Sequence, residues 1–255
     1  MMTTRTLLIL GGTTEGYKLA EAAVSLPGLR VISSLAGRVG NPRLPAGEVR
    51  IGGYGGPAGF AAYLRQEQID AVIDATHPFA SRMGWNAAEA CAATDTALLR
   101  LERPAWRPIA GDRWTQVDAW PEAAAALRGD GTTPPARRVF LALGRQELGH
   151  FTGLDDIWFL IRSVEAPDAA IQFAQSDLLL ARGPFHYADE LALLKQHRID
   201  TIVCKNSGGE ATDGKLTAAR DLGLRVVMLD RPRRPDLPSV PDVPAAIAWL
   251  KGLHS

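Results

Sequence analysis

Cysteine is nearly absent: Cys91 and Cys204 stand alone in 255 residues, far apart and outside any Cys-x-x-Cys spacing. That excludes a disulfide framework or a cysteine zinc site as the organising principle. Net charge is missing too, because 28 basic residues balance 28 acidic ones. Most nucleic-acid and anionic-membrane binders carry a basic excess, so neither partner is expected. No apolar run approaches the roughly 18–20 residues that span a bilayer. The opening Met1-Met2-Thr3-Thr4-Arg5 lacks a signal-peptide pattern, and a cytoplasmic location is expected. Several catalytic templates are absent as well. There is no Gly-x-Ser-x-Gly elbow, no His-Glu-x-x-His, and no tyrosine followed four residues later by lysine. Asp155-Asp156 reads as a surface pair in a turn, so no metal site is expected.

What is present is ordinary globular composition, 46% hydrophobic and 22% charged, in a chain long enough for two small domains. Arginine supplies 23 of the 28 basic residues. Its planar fork suits carboxylate and phosphate, which keeps a polyanionic small molecule open alongside a plain preference for Arg over Lys. Short apolar runs alternate with Ala/Leu-rich stretches, the pattern of an α/β protein with parallel sheets. Strands are expected at 6–10, 30–35, 48–51, 71–74, 97–101, 138–143, 157–161, 178–181, 201–204 and 225–229. Helices are expected at 15–25, 58–67, 79–93, 121–127, 169–175, 187–196, 213–221 and 244–250. Ten strands divide more naturally into two sheets than one. The break is expected near Arg103–Pro108, giving domains 1–105 and 106–255. The second would end in a proline-rich strap (231–244) and a terminal helix.

The first strand runs into Gly11-Gly12-Thr13-Thr14-Glu15-Gly16 and then a helix. A buried strand, a glycine turn and a helix start form an anion-binding arrangement, through unpaired N–H groups and a favourable dipole. The spacing is neither Gly-x-Gly-x-x-Gly nor a P-loop, and a tight turn with a capped helix is the plainer alternative. At the end of the second strand, where NAD-binding domains place an acid, stand Ser33, Ser34 and, on the loop, Arg38. An acid would repel a 2′-phosphate; hydroxyls and an arginine favour NADP if a dinucleotide binds. The fourth strand ends in Asp74-Ala75-Thr76-His77-Pro78, at the position that borders the crevice of a doubly wound sheet. His77 is therefore a candidate catalytic or nicotinamide-facing residue, or else a helix cap. Arg82 follows one turn later.

In the second half, Arg145, Arg182 and Lys205 each follow an expected buried strand, so a parallel sheet brings all three to one edge. With His186, Asn206 and Ser207 they suggest an anion-lined wall. Singly, each is better explained as a solvated charge; together they favour a ligand surface.

These segments together resemble the precorrin-6A reductase family. The resemblance rests on Leu-Ile-Leu-Gly-Gly-Thr-Thr-Glu at 8–15, Asp-Ala-Thr-His-Pro-Phe-Ala at 74–80 and Leu-Leu-Arg-Leu-Glu-Arg-Pro at 98–104. It continues with Arg-Val-Phe-Leu-Ala-Leu-Gly at 138–144, Arg-Gly-Pro-Phe at 182–185, Cys-Lys-Asn-Ser-Gly-Gly at 204–209 and Thr-Asp-Gly-Lys at 212–215. It implies two Rossmann-like or flavodoxin-like parallel-sheet domains with an interdomain cleft. It also implies NADPH-dependent reduction of one ring double bond of precorrin-6A to precorrin-6B in corrin (vitamin B12) biosynthesis. Gly11, Gly12, Thr13, Thr14, Glu15, Ser33, Ser34, Arg38, Thr76 and His77 would then contact the cofactor. Arg82, Arg145, Arg182, His186, Lys205, Asn206 and Ser207 would hold the tetrapyrrole's carboxylates, and neighbouring corrin-pathway enzymes would be the protein partners. The alternatives are another NADP-dependent oxidoreductase and a non-catalytic NADP(H) sensor.

Overall fold

The computed structural model of the chain describes residues 5–37 and 43–253. Arg38, an expected cofactor contact, lies outside them. The chain divides into two compact units, Met1–Pro104 with Pro232–Ser255, and Ala105–Arg231.

The first unit contains β1 (Arg5–Leu10), α1 (Thr14–Ala23), β2 (Leu29–Leu35), β3 (Glu48–Ile51), α2 (Pro57–Gln66), β4 (Ala71–Asp74), α3 (Ser81–Ala92) and β5 (Ala97–Leu101). Its sheet is parallel throughout, in the order β3-β2-β1-β4-β5, and is completed by a two-residue strand from the chain's end (Ser239–Val240). Alternate residues of β1 face opposite sides of the sheet. Leu7 and Ile9 pack with Leu19, while Leu8 and Leu10 pack with Phe60 and Leu64. Helices on both faces explain why β1 and β4 read as unbroken apolar runs.

The second unit contains β6 (Arg113–Val117), α4 (Trp120–Arg128), β7 (Arg138–Ala142), a 3-10 helix (Arg145–Phe151), β8 (Trp158–Ser163) and β9 (Ser176–Leu180). It continues with α5 (Tyr187–Gln196), β10 (Thr201–Lys205), α6 (Gly214–Asp221) and β11 (Arg225–Leu229). Its strands are also all parallel, ordered β9-β8-β7-β10-β11-β6. Phe140, Leu160, Ile202, Leu216 and Met228 form a core on one face.

The C-terminal strand (β12, Ser239–Val240) and helix (α7, Val243–Gly252) correct the expected domain assignment, because they belong to the first unit and not the second. The reason is an unpaired edge and an uncovered face. Arg100 N donates to Pro238 O at 2.9 Å and Glu102 N to Val240 O at 3.0 Å, so β12 closes the open side of β5. Ala246 and Leu250 complete the cluster around Leu7, Ile9 and Leu19. Each sheet thus has the order 3-2-1-4-5-6, with its sixth place filled out of turn. β12 fills it in the first unit; β6, the strand before β7, fills it in the second.

The helix expected at 169–175 does not form. Asp168 accepts from Ala170 N at 2.9 Å and Ile171 N donates to Asp168 O, which makes a single side-chain-stabilised turn. Two short strands, β6 and β12, were not expected from the sequence.

Candidate functional site

In the first unit the chain order reverses between β1 and β4, so their C-terminal ends flank the switch point where open α/β sheets take ligands. The β1–α1 turn is built around Thr13. Its hydroxyl accepts from Gly16 N at 3.1 Å, capping α1, and donates to Ala75 O at 2.7 Å beyond the end of β4. The side chain therefore holds the turn across the switch point. Gly12 has φ +104°, a conformation that favours glycine, and nothing lies within 4 Å of where its Cβ would stand. Thr13 takes the Gly16 amide of the first turn of α1, and the Thr14 and Glu15 amides have no intrahelical carbonyl to reach, the condition under which a helix start binds an anion. Gly16 works differently: a Cβ there would meet Gly11 Cα at 3.3 Å, so it permits close packing of helix on strand. Thr14 is exposed, and Glu15 pairs with Arg103 at 2.5 Å.

At the end of β2, Ser33 and Ser34 are both buried. The Ser33 hydroxyl has no hydrogen-bond partner among the described residues. The Ser34 hydroxyl lies 3.4 Å from Arg50 Nη1.

The β4 end is organised by Asp74, which is fully buried. One carboxylate oxygen accepts from Thr76 N at 3.0 Å and from Thr76 Oγ1 at 2.6 Å. The other accepts from Arg234 of the proline-rich strap, whose Nη2 also reaches Thr76 Oγ1 at 3.2 Å. Arg100 and Glu102 complete a buried group of two arginines and two acids. Burial foremost, and then the nearby Arg234, holds the Arg100 guanidinium below its ordinary pKa. His77 does not cap a helix. Its Nδ1 accepts from Phe79 N at 3.2 Å, which leaves the proton of the neutral ring on Nε2. α3 starts at Ser81, later than expected, with Arg82 exposed in its first turn.

In the second unit β7, β8, β9 and β10 are parallel neighbours, so Arg145, Arg182 and Lys205 do share the C-terminal edge of one sheet, although β9, the edge strand before Arg182, is largely exposed and not buried as expected. Their surroundings differ. Arg145 pairs with Glu165 at 3.0 Å. Lys205 pairs with Glu147, its Nζ 5.7 Å from the centre of the Trp120 ring. Arg182 and His186 are exposed. Asn206 is engaged elsewhere, against expectation: its side chain accepts from Trp106 N at 2.8 Å and donates to Trp106 O at 3.1 Å. Ser207 Oγ lies 3.4 Å from Lys205 O.

Sequence reasoning missed four groups here. Arg50 and Arg234 sit at the sheet edge of the first unit, as above. In the second, Arg162 and Glu190 form a buried two-point ion pair at 2.5 and 2.9 Å, under the Phe185 ring. Lys215 is buried, donates to Thr212 O at 2.5 Å, and stands 4.7 Å from the centre of the Trp106 ring. Burial pushes its ammonium pKa down. A charge inside an otherwise apolar run, such as Arg162 within Trp-Phe-Leu-Ile-Arg-Ser, was the available signal. The two thiols supply no nucleophile: burial pushes Cys91 up to about 12 and raises Cys204 as well. Among the described residues no cluster of His, Cys, Asp and Glu is arranged to hold a metal, and no helix is long and apolar enough to cross a membrane.

Comparison with known proteins agrees with this architecture. The family model described as precorrin-6x reductase CbiJ/CobK matches residues 6–251. A precorrin-6A reductase of Rhodococcus erythropolis is 49% identical over 245 residues, covering 96% of each chain. One from Mycobacterium tuberculosis (strain ATCC 25618 / H37Rv) is 46% identical over 250 residues, covering 98% of each. A cobalt-precorrin-6A reductase of Priestia megaterium is 28% identical, covering 89% of this chain and 91% of its own. The solved structure of CobK precorrin-6A reductase superimposes with a TM-score of 0.89 at 40% identity, over 97% of this chain and 96% of that one. Two six-stranded parallel sheets, their motif-bearing strand ends and these likenesses lead to one conclusion: the chain belongs to the precorrin-6x reductase CbiJ/CobK family.

Proposed function

We propose that this reductase of cobalamin biosynthesis converts precorrin-6A to precorrin-6B with NADPH as its reductant. The observation that carries the cofactor reading is the β1–α1 turn. Gly12 leaves open space at a helix start, beside a β2 end that has serines where an NAD site has an acid. These residues fit a dinucleotide phosphate. The identities of 46–49% to precorrin-6A reductases, against 28% to a cobalt-precorrin relative, favour the cobalt-free substrate.

NADPH, when bound, supplies a hydride for a ring carbon made electrophilic by conjugation with protonated ring nitrogens. The chain supplies position and electrostatics. Gly12 and the first-turn amides of α1 hold the pyrophosphate. Asp74 and Arg234 fix the Thr76–His77 loop at the switch point. His77, on the loop that follows β4 at the switch point, donates a hydrogen bond to the reacting ring or the nicotinamide amide. Arg145, Arg182 and Lys205 hold acetate and propionate carboxylates along the edge of the second sheet. Incubation with precorrin-6A and NADPH, following nicotinamide absorbance with the pigment spectrum, tests the reading. Coupled change in both is expected, and no oxidation of NADPH on adding precorrin-6A refutes it.

A further inference from the structure

We propose that Arg50 reads the 2′-phosphate of the cofactor and thereby sets the preference for NADPH over NADH. The inference rests on the cofactor reading above and names a group within that site.

Position is the first argument. Arg50 is in register with Ser34 across β3 and β2, at the strand end where a dinucleotide fold holds the ribose hydroxyls with an acid or a 2′-phosphate with an arginine. Orientation is the second. Arg50 donates from Nη1 to Gly52 O and from Nη2 to Gly53 O, both at 2.6 Å, and lies 3.8 Å over the Tyr54 ring. A stacked, tethered guanidinium is fixed in advance and loses little freedom on meeting an anion. Among the described residues these two bonds and the Ser34 contact use three of its five N–H donors.

Charge is the third argument. The neighbouring carboxylates are already taken, because Arg30 pairs with both Glu48, at 2.7 Å, and Glu67, at 3.1 Å. Among the described residues no carboxylate forms an ion pair with Arg50, so its positive charge is uncompensated. Room is the fourth. The β3–α2 turn is Gly52-Gly53-Tyr54-Gly55-Gly56, and nothing lies within 4 Å of a Cβ built on any of the four glycines. An arginine serving only to brace that turn would not need an open, carboxylate-free surround.

The test uses the full chain without substrate, titrated with NADPH, NADH, 2′,5′-ADP and 5′-ADP by calorimetry. Circular dichroism serves as the folding control. Arg50→Gln keeps an amide donor for the turn but removes the charge; Arg50→Lys keeps the charge but loses the fork. Arg50→Gln should weaken NADPH and 2′,5′-ADP by roughly 10- to 100-fold, as loss of a charge-assisted contact predicts. NADH and 5′-ADP should be nearly unaffected, and Arg50→Lys should fall between. Equal weakening of all four ligands would assign Arg50 to holding the turn and overturn the inference. So would an unchanged preference for the 2′-phosphorylated pair. If the wild type itself binds no nucleotide, or NADH as well as NADPH, the cofactor reading falls and this inference with it.

Discussion

Removing Arg234 is the sharpest perturbation of the first unit. Its side chain is 5% exposed, and its partner Asp74 is fully buried beneath it. Arg234→Ala leaves Asp74 with its Thr76 hydrogen bonds and the charge of nearby Arg100, but without the cation that is hydrogen-bonded to it. Breaking a buried pair from one side costs about 3–5 kcal/mol, because an uncompensated charge stays in a poor solvent. The proline-rich strap should loosen with it, since Arg234 joins that strap to β4. The structure supplies an independent check on the same contact. A Cβ added at Gly84 of α3 would stand 2.9 Å from Arg234 Nη2 and 3.0 Å from Nε. Gly84→Ala should therefore add an overpacking cost of about 1–3 kcal/mol in the wild type and, once Arg234 is alanine, stabilise by about 0.5–1 kcal/mol, because alanine is the better helix former within α3. Urea unfolding followed by tryptophan fluorescence measures both, with Trp85 and Trp249 reporting on the first unit. The double-mutant cycle gives the coupling. A loss below about 1 kcal/mol for Arg234→Ala would refute the reasoning. An equal Gly84→Ala cost in both backgrounds would do the same.

Three further outcomes follow. Gly12→Val should lose NADPH binding while remaining folded, because a β-branched residue resists φ +104° and fills the space beside the helix start; a folded variant with wild-type affinity by calorimetry would move the phosphate site elsewhere. Single replacements of Arg145, Arg182 and Lys205 by Ala should raise the precorrin KM roughly tenfold, about 1.4 kcal/mol, with NADPH affinity unchanged. Lys205→Ala should have the largest effect, since it also bares Glu147, and steady-state kinetics showing no change for all three would leave them as surface charges. Cys91 should resist thiol reagents in the native protein, and its contribution to stability should be complete below the ordinary thiol value of 9.0. It should then fall as pH rises toward about 12, because only the unfolded chain loses the proton in that window. Native-state labelling at mildly alkaline pH as fast as in denaturant would contradict this.

The parallel α/β architecture was legible because β1, β4, β7 and β10 are buried on both faces and read as continuous apolar runs. What escaped was non-local. Ser239–Val240 becomes a strand only because β5 offers it an edge, and the strap's own prolines argued against a sheet. The terminal helix went to the wrong unit for the same reason, since its partner face on α1 lies more than two hundred residues earlier. The geometry of the β1–α1 turn and of the β4 end was legible from strand-turn-helix grammar. The clamp of Asn206 on Trp106 was not legible, because an amide in a glycine-rich loop looks the same whatever its partner is. Arg50 was invisible because its meaning comes from the Ser34 register and from Arg30 taking both nearby acids.

The central claim is that NADPH delivers a hydride to the precorrin ring. It is tested most directly with NADPH carrying deuterium at the transferable position of its nicotinamide. Product formed in ordinary water should retain one deuterium on a ring carbon, with the accompanying proton drawn from solvent. Product formed without deuterium, or formed equally well when the nicotinamide is left out, would contradict the account.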